Sequence, residues 1–235
     1  MNSRDSLYAQ RLLAEGIGTA LLLAIVVGSG IMGERLALGN AAVALLANAA
    51  ATGAGLYVLI ALLAPVSGAH FNPLVSAMAS LRGDMTVAEA LGYVAAQIIG
   101  ALVGVLLAHA MFDLPLLQLS AHMRTGAGQW LSEIIATSGL LATILLGSRA
   151  RPQSLPALIG AYIFTAYWFT ASTSFANPAV AIARAFTDTF SGIRPIDVPA
   201  FIFAQCAGLI LVLVTARALR PVAIDAAVAQ TVVEK

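Results

Sequence analysis

Positions without Asp, Glu, Lys or Arg gather into six runs: 16–33, 36–81, 90–112, 134–148, 152–183 and 198–216. Their lengths are 18, 46, 23, 15, 32 and 19 residues. A helix needs about 20 apolar residues to cross the hydrocarbon core, so the pattern predicts six transmembrane helices. Short, long, medium occurs twice in that series, and the long runs hold more than one crossing requires. In 36–81 the surplus is marked off by Pro65, Ser67 and Gly68, then by Asn72-Pro73. In 152–183 it is marked off by Ser172–Ser174 and Asn177-Pro178. Asn followed by Pro reads as an N-cap and the first residue of a new helix. The apolar stretches that follow, Leu74 to Leu81 and Ala179 to Phe186, cover only part of a bilayer at ~1.5 Å per residue. The expectation is two re-entrant half-helices. Their irregular lead-in segments are tolerated at membrane depth only where protein buries them or they line a wet cavity.

The halves repeat. Glu15 with Thr19 four residues on matches Glu133 with Thr137; Asn72-Pro73 matches Asn177-Pro178; Ala96-Gln97 with Gly100 matches Ala204-Gln205 with Gly208. Offsets of 118, 105 and 108 keep the order and leave loops to differ. Repeat one spans about 10–112 and repeat two about 129–218 of a single channel domain. Three crossings per repeat invert the second relative to the first, so the half-helices enter from opposite faces and meet near the midplane. The fold class is therefore an all-α membrane protein of six transmembrane helices and two half-helices. Arg4, Arg11, Arg82, Arg149, Arg151, Arg217, Arg220 and Lys235 fall on one side, against Arg35, Arg124, Arg184 and Arg194 on the other. That bias places both termini in the cytoplasm of an inner-membrane protein.

Composition narrows the class further. Residues are 60% hydrophobic and only 10% charged, where soluble domains carry roughly 25% charge. A net charge of +1 without a basic stripe speaks against nucleic-acid binding. One cysteine, Cys206, gives no disulfide framework and reads as packing on the sixth span. Gly100, Gly104 and Gly208 read as close helix contacts, and His109 and His122 as interfacial residues.

Ser67-Gly-Ala-His-Phe-Asn-Pro73, paired with Phe175-Ala-Asn-Pro-Ala179 in an inverted repeat, resembles the aquaporin (major intrinsic protein) family over roughly residues 10–218. The second motif, Asn177, Pro178, Ala179, matches the family's; the first has Leu74 where the family usually has Ala, which is expected to narrow or reshape the packing. Each half-helix turns its positive end to the midplane. Asn72 and Asn177 are expected to cap their helices through the amide oxygen and donate N–H groups into the pore. In aquaporin-type pores such ends exclude protons and cations, a property the resemblance implies. It also implies a homotetramer in the lipid bilayer.

By the same resemblance the selectivity constriction falls on Thr52, Thr165, Ser174 and Val180. The family usually has Arg at the last of these. The filter is thus expected to be wide, neutral and moderately polar, without ring, imidazole or guanidinium. Val180, Arg184 and Asp188 are spaced i, i+4, i+8. Arg184 reads either as a vestibule cation partly neutralised by Asp188 or as an interfacial Arg snorkelling to headgroups. Glu15 and Glu133 read as acceptors for the re-entrant backbone, with a proton relay as the alternative. His70 is expected at the cytoplasmic vestibule, as a pore-lining or gating residue or as a packed one.

These readings describe a passive channel for small neutral hydroxylated solutes, with no cofactor, metal site or catalytic residue. The Arg-less Asn-Pro-Ala-Val-Ala-Ile-Ala-Arg184 stretch with Thr187-Asp-Thr-Phe190 resembles bacterial aquaporin homologues associated with arsenic resistance. That resemblance implies arsenite and antimonite as cargo. A water or glycerol facilitator is the alternative within the fold, and an ion-coupled secondary transporter the alternative from another class. The latter lacks a buried acid–base pair or ion-site cluster in this sequence.

Overall fold

The structure is a computed structural model and describes residues 3–218; Arg220, the tail after Pro221 and Lys235, which entered the charge count, lie outside the described residues. Eight α-helices follow in order: α1 (Ser3–Leu36), α2 (Ala41–Ser67), α3 (Pro73–Leu81), α4 (Val87–Met111), α5 (Ala127–Ala150), α6 (Leu155–Phe169), α7 (Pro178–Arg184) and α8 (Val198–Ala218). No strand occurs among the described residues. Five of them, α1, α2, α4, α5 and α8, are long and apolar enough to cross a membrane. The sixth crossing is α6, whose 15 residues rise ~22 Å and are led in by a 3₁₀ turn at Pro152–Ser154.

α3 and α7 are the half-helices, with 9 and 7 residues. Their starts follow from local chemistry. Asn72 Oδ1 accepts from the Leu74 N–H at 2.9 Å, and Asn177 Oδ1 from those of Ala179 and Val180 at 3.0 and 3.3 Å. Pro73 and Pro178 supply the first helical position, where no N–H is needed. Two boundaries differ from the sequence reading. α2 runs through Pro65 and stops only at Gly68, whose φ of +88° and N–H bond to Ala64 O form a left-handed cap. α7 stops at Arg184 rather than Phe186, so Asp188 does not share its face.

Pairs of helices meet where small residues let backbones approach. α1 lies on α4 through Gly100 and Gly104, against the carbonyls of Gly16 and Ala20. α2 lies on α6, where a Cβ on Gly53 would come within 2.7 Å of Gly160 O. α5 lies on α8 through Gly208. Leu13, Leu62, Ile99, Phe203, Ile210 and Val214 are exposed. The interior instead holds Glu15, Gln97, Glu133 and Gln205. Apolar residues outside and polar residues inside is the arrangement a lipid solvent demands. Leu74 is buried among Val75, Met78, Leu141, Leu145, Leu209 and Val212. It fills the packing between α3, α5 and α8, and it does not line the central cavity, so it does not narrow it.

Candidate functional site: a central channel

Two buried carboxylates position the irregular segments. Glu15 Oε1 accepts from Ser67 Oγ at 2.7 Å and the His70 N–H at 2.9 Å; Oε2 accepts from the Phe71 N–H at 2.7 Å and Gln97 Nε2 at 2.8 Å. Glu133 repeats the device. Its Oε1 accepts from the Phe175 N–H at 2.9 Å, and its Oε2 from the Ala176 N–H at 2.9 Å and Gln205 Nε2 at 2.6 Å. Hydrogen bonds to a carboxylate are the strong kind, and they hold a backbone that is otherwise unfavourable. Ala69, Phe71, Thr173, Ser174 and Ala176 all have φ between +48° and +58°. Such left-handed conformations cost non-glycine residues of order 1–2 kcal/mol each. They fall at equivalent places in the two segments, which shows that the shape is imposed rather than accidental.

The asparagines do more than cap. Asn72 Nδ2 donates to Ala176 O at 2.8 Å, and Asn177 Nδ2 donates to Phe71 O at 2.7 Å. Each amide thus ties its own half to the other half, and only its second N–H is left for the pore. The sequence reading had the amide N–H groups donating into the pore; the crossed bonds take up one N–H of each. Equivalent rings flank the segments: His70 meets Tyr93 edge-on at 5.3 Å, and Phe175 meets Phe201 edge-on at 5.1 Å.

Between the halves runs a cavity of about 60 Å³, room for roughly four to six waters in file at ~10–15 Å³ each. Stripes at helical i, i+4 spacing line it: Leu22 and Val26 on α1, Thr52, Leu56 and Ile60 on α2, Leu140 and Ile144 on α5, and Ile159, Ile163 and Tyr167 on α6. Asn72, Asn177, His70, Ser174, Phe175, Val180 and Arg184 add polar, aromatic and small groups from the two re-entrant segments. One wall is aliphatic, and amides, hydroxyls and one guanidinium stand among the rest.

Three of the four expected constriction residues, Thr52, Ser174 and Val180, line this cavity. Thr165 does not. It is exposed, and its hydroxyl donates to Tyr162 O at 2.8 Å. Two positions along a helix is about 200° of rotation, so Thr165 sits behind the face that Ile163 and Tyr167 present. Tyr167 lines the cavity from that helix, its hydroxyl donating to Thr52 Oγ1 at 3.3 Å. The expected absence of ring and guanidinium is corrected too. Phe175 and Tyr167 line the cavity, and Arg184 is 2% exposed with its guanidinium carbon 3.5 Å from the Phe175 ring centroid.

Asp188 accepts from the Ala121 N–H at 2.9 Å and faces His122 at 3.9 Å on the exposed surface, away from Arg184. His70, half-buried, lines the cavity and shares 3.0 Å with Ser76 Oγ through Nδ1. His109, in the last turn of α4, is fully buried, bridging Leu116 O and Thr187 Oγ1 at 2.9 and 2.8 Å. Arg124 entered the sequence reading only as a charge in the orientation count. It comes in from the 112–126 connection, donates to Gly192 O at 2.7 Å, and lies 5.1 Å from the Phe175 ring.

A sequence model described as "Major intrinsic protein" matches residues 2–170. The chain belongs to the major intrinsic protein family. As a family member it is a multi-pass membrane channel and not an enzyme. It is 55% identical over 208 residues to the aquaglyceroporin AqpS of Rhizobium meliloti (strain 1021), covering 88% of this chain and 89% of that one. It is 31% identical to the aquaporin TIP1-1 of Arabidopsis thaliana over 74% of this chain and 73% of that one. The X-ray structure of the aquaglyceroporin from Plasmodium falciparum superposes with a TM-score of 0.67 at 23% identity, covering 87% of this chain and 93% of that one. That likeness shows the major intrinsic protein fold.

Proposed function

We propose that this chain is a passive channel for small neutral hydroxylated solutes, with the trihydroxides of arsenic and antimony as cargo alongside glycerol. The observation that carries the reading is the composition of the outer end of the cavity. Thr52 and Tyr167 bring hydroxyls there, while Val180 brings only a short aliphatic group. A solute entering such a slot sheds water and must recover its hydrogen bonds from the wall. Hydroxyls both donate and accept, so they suit a polyol or trihydroxide better than an ion. The aliphatic stripe of Leu22, Val26, Leu56 and Ile163 accepts the solute's unhydroxylated side. The 55% identical relative carries the name aquaglyceroporin, which supports polyol-type cargo. The further step to arsenite rests on the likeness of the 177–190 stretch to arsenic-resistance homologues. A homotetramer, an inner-membrane location and cytoplasmic termini belong to the same proposal. So do the assignments of Thr52, Ser174 and Val180 to the constriction and of His70 to the inner vestibule.

Flux through proteoliposomes tests the reading. Val180→Arg is expected to cut arsenite and glycerol entry several-fold while reducing water flux less. Unchanged arsenite entry in that variant would remove Val180 from the constriction.

A further inference from the structure

We infer that Arg184, reaching back one helical turn, supplies the guanidinium of the outer constriction and is a specificity-determining residue of this channel. The inference rests on reading the central cavity as the conduction path. α7 runs outward from Asn177, so Arg184 begins ~6 Å further out than Val180, at four residues and 1.5 Å rise each. Helical side chains lean toward the helix N-terminus, here back toward the midplane. The long stem of Arg184 follows that lean, because its guanidinium carbon lies 3.5 Å from the ring centroid of Phe175, a residue that precedes α7. The charged group therefore stands beside the segment that carries Ser174, although its Cα is a full turn beyond Val180. A branched but short side chain at 180 leaves that lane open.

The group is held without being neutralised. Its Nε donates to the carbonyl of Ser191, and Phe175 offers a ring face. Among the described residues no carboxylate lies within ion-pair distance, and its Nη atoms make no hydrogen bond to protein. Yet no nitrogen of Arg184 is among the enclosed, unpartnered polar atoms, whereas Ser174 Oγ is. Both residues line the same cavity. Free N–H donors in a fixed planar fork on the cavity wall form a two-point site for a solute's vicinal or geminal hydroxyls. The uncompensated charge repels cations at the same level. Phe175 acts as a positioning residue by fixing the plane of the fork.

Proteoliposomes carrying wild type, Arg184→Gln and Arg184→Lys separate the roles, with water flux, glycerol flux and potassium conductance read on each. Arg184→Gln is expected to raise potassium conductance at least several-fold while water still passes. Arg184→Lys keeps the charge but not the fork, so it is expected to stay potassium-tight and lose several-fold in the glycerol-to-water ratio. Arg184→Gln vesicles as potassium-tight as wild type, with the same glycerol-to-water ratio, would overturn the inference. If that variant does not insert, an unchanged glycerol-to-water ratio in Arg184→Lys would overturn it alone. A wild type that passes no glycerol refutes the proposed cargo instead, and the potassium reading still decides the charge role of Arg184.

Discussion

Glu15 and Glu133 perform one task with unequal margins. Each oxygen of Glu15 takes two donors, whereas Glu133 Oε1 takes only the Phe175 N–H. A glutamine at 15 must turn its NH₂ toward two donors whichever way it sits; at 133 it can turn toward one. Hydrogen bonds to charged groups are worth about 1.5–3 kcal/mol each. Glu15→Gln should therefore destabilise the protein more than Glu133→Gln, by about one such bond. Thermal unfolding of the two variants in detergent measures this; equal shifts would show that the donors relax away. Both carboxylates could be found from the sequence, because a charge within an apolar span needs a reason. Tyr167 could not be found by counting back from Asn177. It could have been found from the Ile159, Ile163, Tyr167 stripe, since only one face of α6 carries i, i+4 apolar residues toward the cavity. Arg184 gave the opposite lesson. Spacing placed it on a face with Val180, but its direction depends on how a long side chain leans and on the ring beside it.

At the level of elements, the bundle depends on contacts too close for a methyl group. A Cβ on Gly104 would land on the carbonyl oxygen of Ala20 and within 2.8 Å of Leu23 Cβ, whereas one on Gly128 meets nothing within 4 Å. Gly104 lies in the interior of α4 and Gly128 in the first turn of α5, so propensity alone favours alanine more at 104 than at 128. Gly104→Ala is expected to cost about 1–3 kcal/mol by overpacking, with Gly128→Ala neutral or slightly stabilising. Unfolding temperatures or membrane yields of the pair decide it, and equal behaviour would contradict the packing described for α1 and α4. Element positions were largely legible because lipid imposes length: uncharged runs count crossings, and Asn-Pro starts half-helices. Their ends were less so. Pro65 did not stop α2, because the stop came from the left-handed Gly68 and its bond to Ala64 O. α7 ended early where the chain turns to bring Ser191 against Arg184.

The whole molecule is a pair of inverted halves locked at the centre by Asn72 and Asn177, each donating across to the other's segment. Those crossed bonds tie together the two segments that line the cavity, and a passive channel of this family needs no conformational cycle. The inversion was readable from matched Glu, Asn-Pro and Gln positions. The crossed bonds were not, because they join residues 104 and 106 positions apart whose meeting only the fold creates. A fixed pore predicts flux that follows the solute gradient, does not saturate and ignores ion gradients. The most direct measurement is arsenite and glycerol entry into proteoliposomes, against empty vesicles, with and without a proton or sodium gradient. Entry of both solutes is expected well above empty vesicles, linear in concentration and the same with or without an ion gradient; strong water flux with no arsenite or glycerol entry would contradict a polyol and metalloid channel.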